Sequence, residues 1–69
     1  MTWEDLLKKY QKEYDMSFYI NTDFGNLCFV DTGDLWIYID EYDEEYKIAD
    51  NLTVEQMDML IQVFRKDIL

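Results

Sequence analysis

The chain has no histidine, no proline, one cysteine and two glycines in 69 residues, and the half of it from Glu13 to Tyr46 has no basic residue at all. Each absence excludes something. Without histidine there is no side chain whose ordinary pKa suits proton transfer near neutral pH. With one cysteine and no histidine, a structural zinc site lacks its ligands, and neither metal nor cofactor is expected. Cys28 cannot form an intramolecular disulfide. Its neighbours Leu27 and Phe29 read as strand, so a buried, inert thiol is expected; a reactive one would want positive neighbours. No apolar run approaches a membrane span. The acidic start Met1-Thr2-Trp3-Glu4-Asp5 does not resemble a secretory signal, so a cytoplasmic protein is expected. The scarcity of glycine and proline leaves little flexible linker, and residues 1–69 are expected to form a single domain.

What is present is apolar and aromatic. Apolar residues make up 49% of the chain, with two Trp, six Tyr and four Phe. That composition belongs to globular domains and not to acidic disordered tails. A chain this short buries only about 60% of its unfolded surface, so large rings, or a homodimer, compensate for a small core.

The charge is placed, not merely present. Between Glu13 and Tyr46 lie ten carboxylates and no lysine, arginine or histidine, and the formal net charge of the whole protein is also −10. The flanking segments cancel, six acids against six bases. Self-repulsion of this kind destabilises a small fold, and its usual physical return is a partner with a positive surface. Nucleic acid and anionic lipid carry the same sign as this chain, so direct contact with either is not expected.

Hydrophobic spacing predicts an amphipathic helix from residue 2 to about 14, with Trp3, Leu6, Leu7, Tyr10 and Tyr14 on one stripe. Thr2 and Asp5 stand at capping-box spacing, Met1 and Leu6 at staple spacing. Glu4 with Lys8 and Asp5 with Lys9 are i,i+4 pairs. Ser17–Ile20, Leu27–Val30 and Leu35–Ile39 read as strands, with a further strand over 45–49. Residues 21–26 read as a loop. Asp31-Thr32-Gly33-Asp34 reads as a tight turn with Gly33 free to take positive φ. A second helix is predicted over 53–68, with Thr53 and Gln56 as a capping box, Leu52 and Met57 as a staple, and Val54, Met57, Leu60, Ile61, Phe64 and Ile68 as its stripe. Met59 and Val63 widen that stripe, which reads as an encircled helix or, alternatively, a dimer seam.

The expected fold is therefore α+β, in the order α-β-β-β-(β)-α, with a small antiparallel meander packed by an N-terminal and a C-terminal helix. Leu35, Ile37 and Ile39 should face the helices beside Phe18, Ile20, Leu27 and Phe29. The other face holds Tyr19, Cys28, Val30, Trp36 and Tyr38, which is too apolar for an indifferent solvent surface. The pattern favours both helices on one side, with the aromatic face left for a partner; one helix on each side is the alternative.

The densest acidic segment, Asp40-Glu41-Tyr42-Asp43-Glu44-Glu45, lacks the ligand spacing and bend glycine of a calcium loop. A solvated turn and a partner-binding patch remain. Tyr42 and Tyr46 alternate with the acids, either as interface anchors or as rings packed over a sheet edge, with Tyr19 and Tyr38 expected on the same side. No nucleophile has an evident base, so an enzyme is not expected. Carboxylates a few ångströms apart resemble a phosphate backbone, which in a duplex carries one charge per ~3.4 Å of helix axis on each strand. The candidate partner-binding residues are Asp23, Asp31, Asp34, Asp40, Glu41, Tyr42, Asp43, Glu44, Glu45 and Tyr46.

A short, acidic, cysteine-poor chain with tyrosines among its acids resembles small phage-encoded DNA-mimic inhibitors, notably anti-CRISPR proteins. The α-β-β-β-α order is similar to that of some inhibitors of type II CRISPR effectors. The resemblance lies in architecture and composition and aligns no motif, so it assigns no residue a role. It implies a non-enzymatic inhibitor that binds a basic nucleic-acid-binding protein, such as a CRISPR effector, as monomer or homodimer in the host cytoplasm. An immunity or antitoxin-type partner of a basic toxin, such as a nuclease, has the same surface physics. A dimeric adaptor joined through the aromatic face is the third reading.

Overall fold

The computed structural model describes residues 1–66. In chain order it has α1 (Trp3–Lys9), β1 (Ser17–Thr22), β2 (Gly25–Val30), β3 (Leu35–Ile39), a single 3-10 turn (Asp40–Tyr42), β4 (Glu44–Ala49) and α2 (Val54–Phe64). The strands form one antiparallel meander in the order β1-β2-β3-β4. This is the expected α+β arrangement, with the fourth strand present.

Both helices start where local chemistry says they should. The Thr2 side chain accepts from the Asp5 N–H at 3.2 Å and the Asp5 carboxylate accepts from the Thr2 N–H at 2.9 Å. Thr53 and Gln56 repeat the exchange at 3.1 and 2.8 Å. Each pair satisfies two donors that the first helical turn would otherwise leave bare.

The end of α1 departs from the expected residue 14. Gln11 adopts φ 57°, and its N–H bonds the Lys8 carbonyl at 3.2 Å while the Lys12 N–H bonds the Leu7 carbonyl at 2.8 Å. This is a Schellman stop with glutamine at the left-handed position that glycine usually takes. The chain turns away there, and Tyr14 is left 78% exposed instead of on the apolar stripe. Met1 is exposed as well, so it adds little as a staple.

Residues 21–26 are mostly strand, not loop. Only Asp23 and Phe24 form the turn, and Thr22 pairs directly with Gly25. The buried Thr22 hydroxyl donates to the Gly25 carbonyl at 2.6 Å and accepts from the Phe24 N–H at 3.3 Å. Gly25 is required twice over: its φ is +144°, and a Cβ would lie 2.8 Å from the Tyr38 carbonyl oxygen. Gly33 takes the expected positive φ, +94°, and its carbonyl accepts from the Leu52 N–H at 3.0 Å.

Leu6 and Leu7 of α1 meet Met57 and Ile61 of α2 in one cluster with Phe18, Ile20, Leu27, Phe29 and Leu35. The strand residues in that cluster all lie on one face, so both helices cover the same side of the sheet. Trp3 and Phe18 are 5.3 Å apart between ring centroids, and Phe18 stacks on Phe29 at 5.7 Å. Met59 and Val63 are 66% and 71% exposed, so α2 is not encircled. Ile68 lies outside the described residues.

An ion pair ties the two helices. Lys9 Nζ donates to Asp58 Oδ2 at 2.8 Å and the Tyr10 hydroxyl donates to Asp58 Oδ1 at 2.5 Å. Lys9 therefore pairs across the helix interface, while the Asp5 carboxylate caps its own helix. Burial pushes the Asp58 carboxyl up, but the hydrogen bonds from Lys9 and Tyr10 outweigh it and hold the group below 3.8. A carboxyl lowered on folding stabilises above its unfolded pKa, and that contribution is lost as pH falls through the folded value. Asp58→Asn is expected to cost about 1–2 kcal/mol at neutral pH. It should also flatten the part of the acid-induced loss of stability below pH ~4 that this carboxyl carries. Urea midpoints measured across a pH series check both; an acid limb identical to wild type would contradict the assignment.

Candidate functional site: the acidic turns and the open sheet face

An up-and-down meander puts alternate turns at opposite ends of the sheet. The β1–β2 turn (Asp23, Phe24) and the β3–β4 turn (Asp40–Asp43) share one end, and Glu44 opens β4 there. The β2–β3 turn, with Asp31 and Asp34, lies at the other end, about 17 Å away along a five-residue strand. The ten-residue candidate set is thus split. Asp23, Asp40, Glu41, Tyr42, Asp43 and Glu44 are brought together with Glu45 just below, while Asp31 and Asp34 are not part of that cluster.

At the shared end the acids are exposed, and Tyr42 is 65% exposed among them. Among the described residues, none of the ten carboxylates from Glu13 to Tyr46 is ion-paired to a lysine. A shallow open depression runs between the two turns, lined by Asn21, Asp23, Asn26, Asp40 and Glu41, with Lys66 at its rim. Lys66 reaches this end because its N–H bonds the Asn21 carbonyl at 3.3 Å. The sequence separation of twenty residues between Lys66 and the end of the base-free stretch at Tyr46 conceals that proximity.

The turn has a fixed shape. Asp43 takes φ 50°, a conformation that aspartate tolerates better than most residues, and its N–H bonds the Asp40 carbonyl at 3.2 Å. The Asp43 carboxylate accepts a short hydrogen bond from the Tyr38 hydroxyl. That bond, burial and the negative charges of Asp43 and Asp40 push the Tyr38 phenol up to about 12. Asp43→Ala is expected to bring the titration of this one tyrosine down toward 10.0. An ultraviolet difference titration that leaves the tyrosine profile unchanged would contradict the contact.

No protein-family model, curated protein or solved structure matches this chain. Its functional reading therefore rests on the geometry of its own residues.

The face away from the helices is open among the described residues. Its rows follow from the pairing: Tyr19, Cys28, Trp36 and Lys47 across the sheet, then Asn21, Asn26, Tyr38 and Glu45. Tyr19 lies across this face, its hydroxyl donating to Glu45 Oε2 at 3.3 Å on the far edge strand. Cys28 is only 7% exposed, and burial pushes its thiol up, which suits the inert role expected of it. Lys47 Nζ sits 6.0 Å from the centre of the Trp36 ring.

Tyr46 is not with Tyr19 and Tyr38. It pairs with Ile37, which puts it on the helix-side face of the sheet, where its hydroxyl donates to Glu44. Tyr46 therefore does not share the open face with Tyr19 and Tyr38. Sequence reasoning also missed Lys47 as a resident of that face. The only signal for it was its alternation with Glu45 on a strand whose register the bulge beside Leu35 and Trp36 sets. Among the described residues, no group of three or more carboxylates or thiols is arranged to hold a metal ion, and no helix is long and apolar enough to cross a membrane.

Proposed function

We propose that this chain is a small acidic binding protein that occupies the positive groove of a nucleic-acid-binding protein and so keeps nucleic acid out. The observation that supports it best is the shared turn end: Asp23, Asp40, Glu41, Asp43 and Glu44 displayed together, exposed and unpaired by lysine, beside the exposed ring of Tyr42. Adjacent strands lie ~4.8 Å apart and alternate residues ~6.6 Å apart, the same scale as successive phosphates. A rigid domain that presents such an array loses little entropy on docking and gains steering from its net charge of −10. A CRISPR effector in the cytoplasm, with the arginines and lysines that hold its nucleic acids, is a target of the required chemistry. The protein binds and does not catalyse in this reading.

The split of the carboxylates sharpens the reading. Asp31 and Asp34, at the far end of the sheet, lie beyond the screening length of about 8 Å at physiological salt and contribute little in this reading, in which the contact lies at the Asp40–Glu44 end. The test is capture from a bacterial lysate followed by competition. Basic nucleic-acid-binding proteins should be retained and then released by duplex DNA. A retained partner that DNA does not displace would overturn the mimicry.

A further inference from the structure

We propose that the open sheet face, and not the acidic turns alone, takes an arginine of the basic partner, with its guanidinium stacked on Trp36 and paired with Glu45. This deepens the reading above and rests on the partner being basic. Two groups of observations favour it over an indifferent surface.

First, the face already holds a cation. Lys47 Nζ stands 6.0 Å from the Trp36 ring centre, which is the position a cation takes over an aromatic face. The partner's guanidinium takes the same kind of place on the exposed part of that ring, and Lys47, a like charge beside it, opposes the docking. Second, Glu45 lies on the same face, two residues from Lys47 along β4, and its carboxylate is held in place by accepting from Tyr19 at 3.3 Å. A carboxylate has about four acceptor positions, and one tyrosine donor leaves room for a two-pronged guanidinium contact.

The chemistry selects arginine over lysine. A guanidinium is planar, weakly hydrated and stacks, whereas an ammonium is a compact, strongly hydrated point charge. Charge attraction by the turns alone does not make that distinction. A second copy of this chain is disfavoured as the occupant, since each copy carries a net charge of −10.

The experiment uses the full chain with oligo-arginine and oligo-lysine peptides of equal length, with binding measured by calorimetry at fixed moderate salt. The arginine peptide should bind about tenfold more tightly than the lysine peptide. Trp36→Leu should abolish that preference, Trp36→Tyr should retain most of it, and Lys47→Ala should strengthen arginine binding several-fold. The tyrosine variant keeps the test valid if leucine perturbs the sheet. Equal affinities for the two peptides, or a preference that survives Trp36→Leu, would overturn the arginine seat while leaving the basic-partner reading standing. Failure to bind either peptide would sink that broader reading as well. Self-association in sedimentation that Trp36→Leu abolishes would assign the face to a second copy and overturn the proposal.

Discussion

Lysine substitution of Asp23, Asp40, Glu41 and Glu44 together is expected to weaken binding to a basic partner at least about a hundredfold, or about 2.7 kcal/mol. The four side chains share one end of the sheet, are exposed, and carry no ion pair with a lysine that the change would break. Their replacement relieves repulsion within the turn cluster, which offsets the loss of the exposed hydrogen bonds from Tyr46 to Glu44 and from Asn26 to Asp40, so the fold should be about as stable as wild type. Asp43 is deliberately kept. It holds Tyr38 by hydrogen bond and sits at φ 50°, where a lysine would add backbone strain and confuse loss of contact with loss of shape. The same reversal at Asp31 and Asp34, at the far end, should cost much less. Paired measurements of affinity and urea midpoint check the prediction. Undiminished affinity in the four-fold variant would remove the turn end from the interface.

The largest effect on stability is expected at Phe29. It is fully buried, lies at the centre of the sheet and stacks on Phe18 at 5.7 Å. Truncation to alanine deletes a ring and leaves a cavity that two thin helices cannot collapse around, a cost of about 3–5 kcal/mol. A chain of this length has only about 3–10 kcal/mol of stability in all. Phe29→Ala should therefore be largely unfolded at physiological temperature. Tyr14→Ala is the control: at 78% exposure it should change stability by less than about 0.5 kcal/mol. Circular dichroism melts distinguish the two. A cooperative melt of Phe29→Ala close to that of wild type would place the core elsewhere.

Tyr14 also shows where the sequence is legible and where it is not. Signals that act within a few residues could be read directly. The Thr2/Asp5 and Thr53/Gln56 caps, the β3 run and the Gly33 turn depend on neighbours three or four positions away, and all are found as expected. The end of α1 was not legible, because glutamine at position 11 gives no warning of a left-handed backbone. The tightness of the β1–β2 turn was hidden for a related reason. Asn21, Thr22 and Asn26 have loop chemistry, but the Thr22 side chain spends its hydrogen bonds closing a two-residue turn. Nothing near Asp58 in the sequence singles it out, since its partners Lys9 and Tyr10 are nearly fifty residues away. The acidic candidates were visible as a run, but a run says nothing of ends. Only the meander topology divides Asp31 and Asp34 from the group around Asp40, and only the β3–β4 register turns Tyr46 away from Tyr38.

The most direct measurement is the salt dependence of binding to the DNA-displaceable partner captured from lysate. Attraction between exposed charges is screened within about 8 Å at physiological ionic strength, and counterion release adds to the loss. The logarithm of the affinity should fall steeply and linearly with the logarithm of salt concentration, and the slope should shrink in the variant with Asp23, Asp40, Glu41 and Glu44 reversed. An affinity that stays constant or rises with salt would mean that apolar burial, and not the acidic end of the sheet, holds the partner.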